Sequence, residues 1–172
     1  MVNRKSRNNP ENYVYHILSK RDYSEGEIRH KLSGKFDIEK ERIDGIISKL
    51  KNYDLINDNR YKRLYCVTKL RQGYGPFYIS AKLAEKMINT SPDEVEKIAL
   101  AENLDLEDIA RKVCRNRAKN IFFKKTDRNK DNYHSVYNIY KKCFDFLCRR
   151  GFDIELSRRI AKEETEYESD FS

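Results

Sequence analysis

The residues of this chain with chemistry to offer are its cations, and the chemistry they point to is recognition of anions. Lys112, Arg115 and Lys119 recur at i, i+3 and i+7, opposite the apolar Ala110, Val113 and Cys114, and Arg111 widens the charged face. Such a stripe can follow a phosphate backbone or dock on a carboxylate-rich surface. A plain solvated face has the same pattern. Arg149 and Arg150 stand just before Gly151, where cations also complement a helix C-terminus. Arg60, Lys62 and Arg63 open a helix, the end where the macrodipole disfavours positive charge. Helix stability does not explain them, which favours a binding role.

Bond-making chemistry finds little support. Gly73-Tyr74-Gly75 has no strand before it and no Lys-Ser/Thr pair after it, so it reads as a helix–helix turn and not a phosphate loop. Cys66, Cys114, Cys143 and Cys148 form no Cys-x-x-Cys pair, and His16, His30 and His134 do not cluster with them. The four thiols are expected to be reduced structural residues, with neither metal nor disulfide. Glu163 and Glu164 belong to a charge run, and no nucleophile elbow is present. These readings exclude a recognisable catalytic signature and call for no cofactor. The net charge of +8 is uneven: residues 1–72 carry 17 Lys+Arg against 10 Asp+Glu, and residues 73–172 carry 19 against 18. The basic portion suggests a polyanionic partner.

The elements that must position these cations are helices. Three Pro and six Gly in 172 residues leave long uninterrupted segments, and no apolar run approaches the roughly 18 residues a membrane span needs. Nine helices are expected. The first runs from Pro10 to Lys20 with Tyr13 and Ile17 inward. Ser24 and Glu27 form a capping box for the second, which buries Ile28 and Leu32. The third carries a clean stripe of Ile43, Ile46, Ile47 and Leu50. Asp58 is the expected cap of the fourth, which should bury Tyr61, Leu64, Tyr65 and Thr68. The fifth starts near Phe77 and carries Ile79, Leu83 and Met87, with Met87 expected to lengthen it slightly. Ser91-Pro92 opens the sixth, with Val95, Ile98 and Ala99 inward. Asp105 caps the seventh, with Ile109, Ala110, Val113, Cys114 and Ile121 inward. Residues 124–132 read as a mobile loop. An eighth helix carries Val136, Tyr140, Cys143, Phe144 and Leu147, and a ninth starts at Asp153 with Leu156 and Ile160 inward.

Three blocks align without gaps: Ile28 to Phe36, Ile79 to Met87 and Cys143 to Gly151. Each has an apolar residue, Leu four later and a cation three after that. The organisation expected is a basic disordered tail at 1–9, three-helix repeats at 10–57, 58–103 and 104–166, and an acidic disordered tail at 167–172. A unit this small cannot bury its apolar face alone, so neighbours must stack. The basic, polar start of the chain lacks a secretory pattern, which with the reduced thiols leads us to expect a cytoplasmic protein.

Three segments together resemble one family. They are Ser19 to Ile28, with Arg21, Ser24 and Glu27; Tyr53 to Tyr61 followed by Arg71-Gln72-Gly73-Tyr74-Gly75-Pro76 and Ile79; and Phe146-Leu147-Cys148-Arg149-Arg150-Gly151-Phe152. In this order and spacing they are similar to RecX, the bacterial regulator of the RecA recombinase. Three positions depart from it: Asn52 where Gly is common, Asn57 for a common Asp, and Met87 where Lys-Gly-Ile is usual. The Asn52 position is expected to hold the left-handed conformation that Gly provides. The resemblance implies an all-α, elongated, curved array of three tandem three-helix repeats, acting as a monomer. It further implies a non-enzymatic protein that lies in the groove of the RecA–DNA filament, meeting RecA together with single- and double-stranded DNA. There it would inhibit or modulate recombinase, ATPase and co-protease activity. The candidate contacts are Arg60, Lys62, Arg63, Arg71, Lys82, Arg111, Lys112, Arg115, Lys119, Arg149 and Arg150. The alternative is a stand-alone nucleic-acid-binding protein built from helix-turn-helix-like modules.

Overall fold

A computed structural model describes residues 9–125 and 132–170, with side chains placed for 9–121 and 137–166. The described residues form nine helices and no strand: α1 (Pro10–Leu18), α2 (Glu25–Lys35), α3 (Lys40–Asn52), α4 (Asp58–Arg71), α5 (Pro76–Ala84), α6 (Pro92–Ala101), α7 (Leu106–Lys125), α8 (Asn132–Arg149) and α9 (Ile154–Asp170). The fold is all-α. No helix among these residues is long and apolar enough to cross a membrane.

The helix starts follow capping chemistry. Ser24 and Ser91 each accept from the amide three residues on, and Glu27 and Glu94 return the bond to the cap amide. Asp105 Oδ1 accepts from the amides of Glu107 and Asp108. Asn57, not Asp58, caps α4: its side-chain oxygen accepts from the Arg60 amide at 3.0 Å. Asp58 is committed elsewhere, its carboxylate accepting from the Glu25 amide at 2.9 Å.

The helix ends share one device. α3, α4, α5, α6 and α8 each close on a residue in the left-handed region: Asp54, Gly73, Met87, Asn103 and Gly151. The next residue then reaches back five positions, from Leu55 to Leu50, Tyr74 to Lys69, Ile88 to Leu83, Leu104 to Ala99 and Phe152 to Leu147. This is the Schellman closure with an apolar or aromatic residue after it. It corrects two expectations. Asp54 takes the left-handed position and Asn52 is the last residue of α3. Met87 does not lengthen α5, which stops at Ala84; it holds the left-handed site with its side chain 54% exposed.

Two compact units are present. One takes the chain through Leu64 together with Leu83–Asn89. Its core is Val14, Ile28, Leu32, Ile43, Ile46, Ile47, Leu50 and Ile56, so the predicted stripe of α3 is wholly buried. The 83–89 segment sits on the start of α2. The buried Ser24 hydroxyl donates to the Lys86 carbonyl, Lys86 Nζ lies 3.5 Å from Glu27, and a Cβ at Gly26 would overlap Met87. The other unit takes Tyr65–Lys82 and the chain from Thr90 onward. Its core joins α7, α8 and α9 through Ala110, Cys114, Ala118, Ile139, Cys143, Leu147, Ile160 and Ala161, among others.

The α4 face differs from expectation. Cys66 and Leu70 are fully buried, Tyr61 and Tyr65 are half-buried, Thr68 is exposed, and Leu64 is 55% exposed. Apolar residues stand on most sides of this helix, so periodicity alone selects no face. Lys124 and Lys125 belong to α7 and Asn132 to α8; the rest of the expected 124–132 loop lies outside the described residues. So does the expected tail at 1–9, apart from Asn9, the side-chain cap of α1. α9 runs to Asp170, four residues into the segment expected as an acidic tail. Lys20 lies beyond α1, which ends at Leu18.

The three aligned blocks bury the same positions. Ile28 and Leu32, Ile79 and Leu83, and Cys143 and Leu147 are all fully inaccessible. The cation three residues later lies over an aromatic ring each time: Lys35 at 4.0 Å from Tyr13, Lys86 at 5.9 Å from Tyr61, and Arg150 at 4.5 Å from Tyr74. Tyr13 and Tyr61 both occupy the fourth position of their helices. Tyr74 lies in a turn, which is where the third block departs.

Candidate functional site

The second and third identifying segments meet in space. The turn after α4, Gly73-Tyr74-Gly75-Pro76, docks on the end of α8 at Arg150-Gly151. The Gly75 amide donates to the Arg150 carbonyl at 2.7 Å and the Phe77 amide to the Gly151 carbonyl at 3.0 Å. Both glycines are needed. A Cβ at Gly75 would overlap the Gly151 carbonyl, and one at Gly151 would overlap the Tyr78 backbone. The Arg150 guanidinium closes the joint from the other direction, donating to the carbonyls of Gln72 at 2.8 Å and Gly73 at 3.2 Å.

An aromatic stack stiffens this joint. Tyr74 and Tyr78 lie parallel with centroids 4.3 Å apart. Arg150 covers Tyr74 and lies 5.0 Å from Phe146. Lys69 lies 5.4 Å from Tyr74 and Lys82 lies 5.9 Å from Tyr78. Arg150 is therefore a staple that holds the turn. What the joint presents outward is Arg71 at the end of α4, Arg149 at the end of α8, and Phe77, 51% exposed, at the start of α5. Exposed arginines and an exposed ring suit phosphate or carboxylate contact combined with stacking or apolar insertion. The sequence names Arg71, Lys82, Arg149 and Arg150 as candidate contacts, offers Tyr74 and Phe146 only within the identifying segments and Phe77 only as a helix start, and gives Tyr78 no role. The signal available was aromatic residues on both sides of a Gly-x-Gly turn.

The stripe on α7 divides in two. Arg111 and Arg115 turn toward α9. Arg115 grips Glu164 with two bonds, Nε at 2.7 Å and a terminal nitrogen at 3.1 Å. Arg111 reaches Glu163 at 2.7 Å, Glu164 at 3.4 Å and Glu107 at 2.9 Å. Glu164 is only 2% exposed, so its charge demands these partners. Glu107 also accepts both terminal nitrogens of Arg159, at 2.8 and 2.7 Å. Hydrogen bonds from Arg159 and then Arg111 hold its carboxyl down at about 2. Glu163, with the other carboxylates, raises the Arg111 guanidinium further. The pair Glu163–Glu164, expected to be a solvated run, is thus the anchor of α9 on α7. Lys112 and Lys119 remain on the exposed side of the helix.

On α4, Arg60 pairs with Asp54 and donates to its carbonyl. Arg63 is exposed and Lys62 half-buried. Cys66, Cys114 and Cys143 are buried free thiols and Cys148 is half-buried. Contact with the Cys143 sulfur, together with burial, pushes the Cys114 thiol far above its ordinary range. Among the described residues no group of His, Cys, Asp and Glu could hold a metal ion.

No family profile matches the chain. Known proteins do. It is 24% identical to the regulatory protein RecX of Haemophilus influenzae over 158 residues, covering 91% of this chain and 96% of that protein. It is 29% identical to the regulatory protein RecX of Clostridioides difficile over 150 residues, covering 87% of this chain and 65% of that one. The chain is similar to RecX proteins over most of its length. The RecX fold agrees: the crystal structure of RecX from Lactobacillus salivarius superposes with a TM-score of 0.67 at 22% identity, covering 93% of this chain and 97% of that one. A second regulatory protein RecX structure gives 0.64 at 19% identity, over 90% and 71%. These RecX relatives are named regulatory proteins.

Proposed function

We propose that this chain is a non-catalytic cytoplasmic regulator of the RecA recombinase. It occupies the groove of the RecA–DNA filament as a stack of three-helix repeats and modulates recombinase, ATPase and co-protease activity. The match to RecX regulatory proteins over nine-tenths of the chain carries this reading. The joint supplies a place for the contact: Arg71, Phe77 and Arg149 offer guanidinium groups and a ring to a surface of phosphate and acidic side chains. Lys82, Lys112 and Lys119 extend the cationic surface. Arg60, Lys62 and Arg63 are candidates of the same kind on α4. Arg111, Arg115 and Arg150 serve the filament indirectly, by holding α9 and the turn in place.

The test is RecA-driven ATP hydrolysis on single-stranded DNA. Addition of this protein in stoichiometric amount is expected to lower the rate. An unchanged rate refutes the proposal. The alternative, a stand-alone nucleic-acid binder, predicts tight, salt-sensitive binding to bare DNA with no effect on RecA. Reversing Lys112 and Lys119 together is expected to weaken filament binding while the helices stay intact. Arg115 is left in place, because reversing it would set a carboxylate against buried Glu164.

A further inference from the structure

Cys114 on α7 and Cys143 on α8 meet in the core of the second compact unit, both fully buried and both free thiols. Their sulfurs are in contact. Each sits mid-way along a buried stripe, Ala110, Cys114 and Ala118 on α7 and Ile139, Cys143 and Leu147 on α8. The α7 stripe carries nothing larger than a thiol, which allows the two helices a close approach. Charged groups stand around the pair. Arg117, three residues after Cys114, acts on Cys143 electrostatically. Its Nε–H is buried and, among the described residues, meets no acceptor. Its guanidinium carbon lies 5.7 Å from the Phe146 ring. Glu164 acts on both thiols from α9, with its own charge held by Arg111 and Arg115.

Two thiols in contact, one of them beside a guanidinium, are the parts of a two-electron redox pair. We infer that Cys114 and Cys143 are a peroxide-oxidised disulfide site, with Cys143 as nucleophile, Cys114 as resolving thiol and Arg117 as the residue that steadies the Cys143 thiolate. A thiolate there offers the Arg117 Nε–H the acceptor it lacks. Hydrogen bonding from the Cys114 sulfur, with Arg117 helping against the effect of burial, lowers the Cys143 thiol, and Cys114 keeps its proton. The Cys143 sulfur attacks one oxygen of hydrogen peroxide. An S–O bond forms, the O–O bond breaks, and the hydroxide that leaves takes the Cys143 proton as water. The Cys114 sulfur then attacks the sulfenic sulfur. The S–S bond forms, the S–O bond breaks, and the second hydroxide leaves with the Cys114 proton as water. Two thiols and one peroxide thus give one disulfide and two waters, with two electrons passing from sulfur to oxygen. A thiol reductant reverses the bond by exchange. Both sulfurs are buried, so peroxide enters through local opening of α7 from α8. The product closes the loop from 114 to 143 and ties the two helices together. This inference does not rest on the RecA reading.

The test treats the full chain, folded, with excess hydrogen peroxide, removes the oxidant with catalase and counts thiols in denaturant. Free thiols are expected to fall from four to two, and the intact mass by about 2 Da. Peptide mapping should show a 114–143 link that a thiol reductant removes. Cys143→Ala should form no link, and Cys114→Ala should stop at a Cys143 sulfenic acid that dimedone captures. Circular dichroism checks that each variant keeps its helices, and the wild-type map decides the matter without them. Arg117→Ala is expected to slow link formation about tenfold, and Arg117→Lys to recover most of the rate because the charge returns. Four thiols that survive peroxide overturn the inference, as does a link made through Cys66 or Cys148 instead. Wild-type rates in Arg117→Ala overturn the part given to Arg117.

Discussion

Gly75→Ala examines the joint most sharply. Gly75 is buried, and a methyl group there would overlap the carbonyl of Gly151, which is backbone and cannot rotate aside. Relief requires the turn and the α8 end to separate. That lengthens two short bonds at once, Gly75 to Arg150 at 2.7 Å and Phe77 to Gly151 at 3.0 Å. Overpacking of a tight core site costs about 1–3 kcal/mol, and a buried backbone donor left unmade costs about 1–3 kcal/mol more. The expected loss is about 3–5 kcal/mol, a large part of the roughly 5–15 kcal/mol that holds a domain of this kind together. Gly34 and Gly45 serve as controls. They lie inside α2 and α3 with open space where a Cβ would go, so Ala there should stabilise by about 0.5–1 kcal/mol. Urea unfolding followed by far-ultraviolet circular dichroism measures all three. A Gly75→Ala loss below about 1 kcal/mol would refute the reasoning about the joint.

Ser24→Ala should cost about 2 kcal/mol and Ser91→Ala about 1, because both lose a cap but only Ser24 is buried and also donates to a distant carbonyl; equal costs in urea titrations would contradict this. Glu164→Ala takes the bidentate carboxylate from Arg115 and one of three carboxylates from Arg111, both of which still reach solvent, and should cost about 2 kcal/mol. A loss under about 1 kcal/mol would show that the buried carboxylate does not anchor α9. Glu107 titrates at about 2 when folded, below its unfolded value of 4.5. Its contribution is therefore complete above about pH 4.5 and is lost as pH falls toward about 2. Glu107→Gln should flatten stability in that acid window and leave its pH dependence above it unchanged.

The helices were legible because their capping and stripes are local. Ser24 with Glu27, and Ser91 with Pro92, announce themselves within four residues, and the α3 stripe repeats with one period. Asp54, Met87 and Asn103 were not legible as left-handed closures, since only the backbone reveals that a non-glycine residue sits there. The α4 face was ambiguous because Tyr61, Leu64, Cys66 and Leu70 satisfy more than one helical phase. On α7 the sequence shows a cationic stripe, but which cations face a neighbouring helix depends on Glu163 and Glu164, some fifty residues away. The joint combines two segments about 75 residues apart. Its glycines and arginines could be named from sequence, but their meeting, and the role of Arg150 as a staple, could not.

The central claim is that this chain restrains RecA through the residues exposed at the joint. The direct measurement compares wild type with the triple variant Arg71→Ala, Phe77→Ala, Arg149→Ala for suppression of RecA-driven ATP hydrolysis on single-stranded DNA. All three positions are exposed, so the variant should keep its helical signal. The account predicts that wild type suppresses hydrolysis and that the variant needs about tenfold more protein for the same effect. Equal suppression by both proteins, or none by wild type, would contradict it.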